Sequence, residues 1–88
     1  MASYSIIFKP SVEKDMRALP PTVIARVMDK VEALTEDPLP RGVTKLSGTE
    51  RLYRIRIGDY RVVYEIDTSL CLVTVHYVRH RKDVYQRL

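Results

Sequence analysis

Three arginines occupy neighbouring positions on two strand-like segments: Arg54, Arg56 and Arg61. The segments Leu52–Ile57 and Tyr60–Ile66 alternate between apolar and polar residues, and Gly58-Asp59 joins them. A two-residue loop that starts with glycine is typical of a β-hairpin with a type II′ turn, and such a turn fixes the pairing register. In that register Arg56 lies directly opposite Arg61, and Arg54 lies two residues further along the same face.

This cluster of cations works against folding unless it binds an anion. Residues directly opposite each other in a sheet have Cβ atoms about 5 Å apart, so Arg56 and Arg61 are expected to repel each other. Glu65, on the same face, can neutralise only part of that charge. Arginine is the side chain suited to bidentate contacts with phosphate. The arrangement therefore predicts a phosphate site, and the alternative is a sheet face that is simply solvated.

The end of the chain carries a second group of cations, in the segment VRHRKDVYQRL. The segment contains Arg79, His80, Arg81, Lys82, Tyr85 and Arg87. A third strand, Cys71–Val78, that runs antiparallel to the second strand would end beside Arg61. We therefore expect the C-terminal segment at the rim of the same arginine-rich face.

The charge distribution of the 88 residues points to an acidic partner. The formal net charge is +4, and residues 51–88 hold eight of the fifteen Lys and Arg residues but only four of the eleven Asp and Glu residues. A one-sided basic surface suits nucleic acid or an acidic protein, although it could also be without function. With 45% hydrophobic residues, the chain is expected to form a single domain over residues 1–88.

Few other residues indicate a catalytic site, a disulfide or a metal site. The one cysteine, Cys71, cannot form an internal disulfide, and neither His76 nor His80 has metal-ligand spacing with it, so no metal and no cofactor are expected. His76 is expected to be a strand residue that faces the sheet surface. Since we find no signal peptide and no apolar run long enough to span a membrane, the sequence favours a cytoplasmic protein without a membrane partner.

The pattern of apolar residues predicts an α+β domain. Tyr4–Phe8 is a strand candidate, and Pro10 opens a helix for which Ser11 is the expected N-cap. A second amphipathic helix carries the apolar stripe Val23, Val27, Val31 and Leu34. Residues 43–50 have no clear pattern, and the three-strand antiparallel meander follows them. A strand, a helical hairpin and then a meander indicate two helices packed on one face of a sheet.

Three motifs in this order resemble those of the RelE/ParE toxin superfamily, and of its RelE branch in particular. They are KLSG (Lys45–Gly48), YRIRIGDYRVVYEID (Tyr53–Asp67) and VRHRKDVY (Val78–Tyr85), and the resemblance covers nearly the whole chain. It implies a RelE-like microbial RNase fold and the toxin of a type II toxin–antitoxin system. It further implies a ribosome-dependent endoribonuclease, or mRNA interferase, that inhibits translation by cutting mRNA in the A site without a metal. In this reaction the 2′-hydroxyl attacks the neighbouring phosphate and leaves a 2′,3′-cyclic phosphate and a 5′-hydroxyl.

The resemblance also implies the partners of the chain. They are a cognate RelB-like antitoxin, in a heterotetramer or a similar complex, and the ribosome with its mRNA and rRNA. Operator DNA would be bound only through the antitoxin.

Carried over residue by residue, the family pattern implies five catalytic residues: Arg54, Arg56, Arg61, Arg81 and Tyr85. The residues expected to contact RNA are Lys45, Arg51, Arg79, His80 and Lys82. Because the C-terminal segment is shorter than in some members, Arg79 competes with Arg81 for the role of the catalytic arginine; Arg81 follows a basic residue, as in the family pattern.

The sequence offers two candidates for the general base. The strand positions that are often lysine in the family are both arginine here, and arginine stays protonated and is a poor base. Tyr85 could accept the 2′-proton if neighbouring cations make its hydroxyl more acidic. His80 could also accept it, since imidazole titrates near neutrality.

Two other functions are compatible with the same fold. The ParE branch of the superfamily inhibits DNA gyrase through protein contacts, and the arginine cluster argues against that function because a gyrase inhibitor needs no phosphate clamp. A catalytically inactive relative that binds RNA or antitoxin is the other alternative, and the exchange of lysine for arginine is consistent with it.

Overall fold

The computed structural model describes residues 3–46 and 51–80 of the chain. The elements in chain order are β1 (Ser5–Phe8), α1 (Pro10–Arg17), α2 (Pro21–Ala33), β2 (Thr44–Lys45), β3 (Leu52–Ile57), β4 (Tyr60–Asp67) and β5 (Leu72–His80). The strands form one sheet in the order β1-β5-β4-β3-β2. Strand β1 runs parallel to β5, and all other neighbours are antiparallel. The predicted α+β architecture is confirmed.

Both helices pack on one face of this sheet, which we call the helix face. The apolar stripe of α2 is inaccessible to solvent at Val27, Val31 and Leu34, and Val12 of α1 joins the same core. Burying a Val or Leu side chain stabilises a fold by about 1.5–3 kcal/mol, so this layer is what holds the helices on the sheet. Within the described ranges, neither helix is long and apolar enough to cross a membrane.

Helix α1 continues the edge of the sheet where β1 stops. Strand β1 pairs only with the first part of β5, up to Val75. Beyond that point the Ser11 hydroxyl donates to the His76 carbonyl at 3.3 Å, and the Val78 N–H donates to Asp15 Oδ2 at 3.2 Å. Ser11 and Asp15 are four residues apart and therefore share one side of the helix. Their side chains bond the His76 carbonyl and the Val78 N–H, which β1 is too short to reach.

The prediction that Ser11 caps α1 is wrong. The helix begins at Pro10, and the N-cap residue is Lys9, which makes no side-chain capping bond. Proline is well suited to the first helical position because its fixed φ matches the helix and it has no N–H to satisfy. Ser11 then lies inside the helix, where its hydroxyl reaches β5 instead.

The prediction of the third meander strand as Cys71–Val78 differs from the structure at both ends. Strand β5 begins one residue later and ends at His80. At its start, Asp67 Oδ1 accepts hydrogen bonds from the Ser69 hydroxyl and the Leu70 N–H and so closes a turn. Cys71 completes that turn with a φ of 49°, a left-handed conformation that is incompatible with a strand.

Candidate functional site

The hairpin between β3 and β4 sets the register of the candidate site. Gly58 has a φ of +60° at the first central position of the turn, which glycine adopts without a Cβ clash. The register places Arg56 opposite Arg61 and Ile57 opposite Tyr60. The predicted hairpin register is therefore confirmed, and Arg54 lies opposite Val63, on the same face as the other two arginines.

Strand β5 adds a fourth arginine to this face. Arg79 lies directly opposite Arg61 on the other side of β4. We call Arg56, Arg61 and Arg79 the cationic row, and the sheet surface that carries it the arginine face. The row crosses three adjacent strands, so the prediction that β5 returns beside Arg61 is confirmed.

The three cations of the row differ in their exposure. The Arg61 side chain is buried in the centre, with the residue only 8% exposed, whereas Arg56 is exposed and Arg79 is half-buried. The guanidinium of Arg79 stacks on the Tyr77 ring, with Cζ 4.4 Å from the ring centroid. A central arginine held by packing and flanked by two more reachable arginines forms a concentrated positive surface that suits a phosphate.

A β-bulge re-aims one residue of β5 onto the arginine face. The β4–β5 register shifts between Val63 and Tyr64, and His76 is the extra residue of β5. Nε2 of His76 donates a hydrogen bond to Oε1 of Glu65 at 3.0 Å. The carboxylate of Glu65 is thus engaged by a histidine two strand rows away from the cationic row, rather than by the arginines that it was expected to neutralise. The prediction that His76 faces the sheet surface is confirmed.

The sequence held a signal for this bulge. The buried residues of β5 are Val73, Val75 and Val78, so the two-residue alternation of a strand is interrupted once by a spacing of three. One extra residue between two core positions is what a bulge inserts. The same spacing turns His76 and Tyr77 toward the arginine face together.

His80 lies on the helix face, and not with the arginines. It pairs with Tyr60 across β4 and β5, and the two rings meet edge to face with centroids 5.0 Å apart and planes at 88°. Because neighbouring strand residues point to opposite faces, Arg79 points to the arginine face. Of the predicted residues near the chain end, Arg81, Lys82 and Tyr85 lie outside the described residues.

Two of the residues expected to contact RNA lie away from the cationic row. Arg51 precedes β3, and its Nη1 lies 3.4 Å from Asp67 Oδ2 at the opposite end of the hairpin from Gly58. Lys45 pairs with Tyr53 at the sheet edge and is exposed. The structure therefore brings Arg54, Arg56, Arg61 and Arg79 together, but not Lys45, Arg51 or His80.

The far end of the hairpin has its own electrostatics. The pKa of Asp67 is lowered, first by the hydrogen bond from the Ser69 hydroxyl, then by the Leu70 N–H, and to a smaller extent by Arg51. A cavity of about 270 Å³ opens here, lined by Leu39, Arg51, Tyr53, Ile66, Asp67, Thr68 and Ser69. Among the described residues, no three His, Cys, Asp or Glu side chains gather as metal ligands would.

Comparison with known proteins identifies the family. The profile of a family described as the ParE toxin of type II toxin–antitoxin systems, parDE, matches residues 6–85. Toxin RelG of Mycobacterium tuberculosis is 33% identical in an alignment 88 residues long, which covers 96% of this chain and 98% of RelG. A chain of the archaeal RelE–RelB complex from Pyrococcus horikoshii superposes with a TM-score of 0.81 at 31% identity, covering 90% of this chain and 96% of its own. The isolated E. coli RelE toxin gives 0.78 at 28% identity, with 97% and 94% covered. The chain therefore belongs to the RelE/ParE superfamily and is a toxin of a type II toxin–antitoxin system.

Proposed function

We propose that this toxin is a ribosome-dependent endoribonuclease that cleaves mRNA in the A site and so inhibits translation. The observation that carries the proposal is the cationic row, in which Arg61 stands between Arg56 and Arg79 on three adjacent strands. Cleavage by the 2′-hydroxyl gathers negative charge on the phosphate in the transition state. Fixed cationic donors that face this charge stabilise the transition state more than the ground state, and they do so without a metal.

The exposures of the arginines indicate which part of the RNA each one would contact. Arg61 is the most buried of the three, so packing would keep its side chain in one orientation toward the scissile phosphate, while the exposed Arg56 would close on the phosphate from β3. Arg54, one row further along, would support the neighbouring phosphate. The guanidinium of Arg79 is oriented by Tyr77 and would stabilise the leaving 5′-oxygen together with Arg81, or in its place.

Proton transfer needs a group other than these arginines. The contact of His80 with Tyr60 on the helix face supports Tyr85, rather than His80, as the acceptor of the 2′-proton. The roles of Arg81, Tyr85 and Lys82 rest on the family resemblance, because these residues lie outside the described ranges.

The proposed partners follow from the relatives. The P. horikoshii structure is a complex of RelE with RelB, and we propose a RelB-like antitoxin for this toxin in the cytoplasm, in a heterotetramer or similar assembly. The antitoxin would cover the arginine face and carry any contact with operator DNA. The ribosome, through its mRNA and rRNA, is the proposed target.

Mapping of mRNA ends on translating ribosomes tests the nuclease. We expect the wild type to produce codon-phased cuts with 5′-hydroxyl ends. Arg61→Ala should slow cleavage about 10²–10³-fold, the usual effect of losing one transition-state donor. Arg41→Ala, which removes an exposed arginine from the loop before β2, is the matched control and should cleave normally. Absence of codon-phased cuts by the wild type at any pH, or normal cleavage by Arg61→Ala, would contradict the proposal.

Inhibition of DNA gyrase is the second candidate. It is favoured by the matching family profile, whose description names parDE toxins. In a DNA supercoiling assay, a gyrase inhibitor would block the reaction at stoichiometric concentration, and Arg61→Ala would retain most of that effect. We expect no inhibition of supercoiling by the wild type.

A further inference from the structure

We propose that Glu65 and His76 form a recognition site for a nucleobase edge on the arginine face, with guanine as the preferred base. The inference deepens the proposed function, because it assigns the group that would select the RNA sequence next to the phosphate site. Neither residue belongs to the phosphate site itself.

Glu65 and His76 lie together on the arginine face. Glu65 follows Arg61 and Val63 in the alternation of β4, so all three side chains are on one side of the sheet. The bulge in β5 brings His76 to the same side, where it contacts Glu65 at 3.0 Å. Both side chains are partly accessible, with 34% of Glu65 and 19% of His76 exposed.

Glu65 and His76 lie far from the site at which the phosphate would react. Four residues along a strand span roughly 13 Å, so Glu65 is far from a phosphate bound by Arg61. A general base must lie within about 3 Å of the proton it removes. The pair is therefore too remote to act on the 2′-hydroxyl beside that phosphate, but it is well placed for a base edge that points away from the phosphate.

The carboxylate of Glu65 selects the kind of group that can bind beside it. Because it repels phosphate, a ligand group that contacts it in addition to His76 must be a hydrogen-bond donor. An ionised carboxylate only accepts hydrogen bonds, and in RNA the strongest donors on an unpaired base are the N–H groups of its Watson–Crick edge. Phosphate contacts position a nucleic acid, whereas base contacts select its sequence.

A stacking surface lies between the cationic row and Glu65. Tyr77 lies opposite Val63, in the row between the cationic row and Glu65. Its ring and the guanidinium of Arg79 are stacked on each other. Aromatic rings and guanidinium planes are the surfaces on which unpaired bases stack. A nucleotide could thus place its phosphate on the arginines, its base near the Tyr77–Arg79 stack, and its base edge at Glu65.

The preferred base follows from the geometry of a carboxylate. Two acceptor oxygens side by side match the adjacent N1–H and N2–H donors of guanine. Uracil offers one N–H between two carbonyl oxygens, which a carboxylate repels. Through its hydrogen bond to Oε1, His76 acts as a positioning residue that holds the carboxylate in one orientation.

The test is binding of fluorescent single-stranded RNA, measured by anisotropy, with adenine oligomers that carry one central guanine or one central uracil. We expect the wild type to bind the guanine oligomer about tenfold more tightly, because a good bidentate contact discriminates between bases by about that factor. Glu65→Gln should reduce the preference to less than about twofold, while His76→Ala should reduce it partly. Glu13→Gln is the matched control, because it makes the same change in charge on an exposed residue of α1 and should keep the full preference.

Two results would overturn the base site. The first is a wild type that binds neither oligomer or binds both equally, and the second is Glu65→Gln with an unchanged preference. Mapping of cuts on ribosomes separates this outcome from the nuclease proposal. Cuts by Glu65→Gln at the same codons as the wild type would remove the base site and leave the nuclease. Loss of guanine preference in Glu65→Gln without any wild-type cleavage would remove the nuclease and leave the base site.

Discussion

At the scale of single residues, the like charges of the cationic row are expected to lower the stability of the free protein and to favour the binding of an anion. Arg56 and Arg61 are directly opposite each other, and Arg79 flanks Arg61 on the other side. Like charges that lie directly opposite each other destabilise a sheet, so these three cations repel one another in the free protein. Binding of the proposed phosphate would relieve this repulsion.

This repulsion predicts that Arg56→Gln stabilises the free protein while it weakens cleavage. Removing one cation of a directly opposed pair should add roughly 0.5 kcal/mol to the free energy of unfolding, which raises Tm by about 2–4 °C in a chain of this size. The gain should shrink at 1 M salt, because screening already weakens the repulsion. Thermal melts at low and high salt measure it, with Arg41→Gln as a control of equal net charge. A Tm for Arg56→Gln that is no higher than the control's would argue against this repulsion.

The residues of the candidate site could be predicted from the sequence only where a local rule fixed their place. The two-residue turn at Gly58-Asp59 determined the pairing of Arg56 with Arg61, because such a loop leaves no freedom of register. The contact between Glu65 and His76 depends instead on a bulge in another strand, which is a tertiary feature. His80 is expected among the RNA contacts, but it lies two positions after the core residue Val78, so alternation turns it to the helix face.

At the scale of elements, α1 supports the strand that delivers Arg79. Asp15 accepts the N–H of Val78, the residue immediately before Arg79. A hydrogen bond from a backbone N–H to a carboxylate is stronger than one between neutral groups. The helix therefore supports the end of β5 on the side away from β4, because β1 pairs with β5 only as far as Val75.

We predict that Asp15→Ala loosens the end of β5 locally. Loss of this bond should speed amide exchange at Val78 by about 10–100-fold, which corresponds to the roughly 1.5–3 kcal/mol of a hydrogen bond to a charged group. Asp15→Asn keeps an acceptor oxygen and should restore part of the protection. Hydrogen exchange followed by NMR measures both variants, and Asp29→Ala on the exposed side of α2 serves as the control. Unchanged exchange at Val78 in Asp15→Ala would show that the helix does not hold the strand.

The elements themselves were predictable to different degrees. The stripe Val27, Val31 and Leu34 predicted α2 and its buried side, because a helix repeats its face every three to four residues. The two-residue strand β2 lies in a segment without a pattern, since a strand so short has no alternation to read. The role of Ser11 was also hidden from the sequence, because its partner is the His76 carbonyl, 65 residues away.

At the scale of the whole molecule, one sheet separates the core from the candidate site. The helix face carries the core, and the arginine face carries the row of cations together with Glu65 and His76. Side chains held on strands are positioned more rigidly than side chains on loops, so the core determines the geometry of the proposed RNA site. On the helix face, Tyr64 ties β4 to the loop after α2, because its side chain is fully buried and its hydroxyl donates to the Pro38 carbonyl at 2.8 Å.

Tyr64 therefore makes the whole fold sensitive to alkaline pH. Burial, and to a lesser extent the neighbouring Tyr53 and Asp37, raise the pKa of its hydroxyl above the ordinary value of 10.0. The unfolded chain then loses this proton at lower pH than the folded protein does, so the native state is favoured below pH 10 and loses that advantage as pH rises above it. Phenylalanine at position 64 has no proton to lose.

We predict that the stability difference between the wild type and Tyr64→Phe depends on pH in this sense. Near pH 7 the variant should be less stable by about 1 kcal/mol, because the Pro38 carbonyl loses its donor. The difference should narrow steadily above pH 10. Urea unfolding at a series of pH values measures it, and the subtraction cancels the contributions of the other tyrosines. A difference that stays constant from pH 7 to pH 11 would mean that the Tyr64 hydroxyl ionises alike in the folded and unfolded states. Burial of Tyr64 between the sheet and the Pro38 loop would then not cause the loss of stability at alkaline pH.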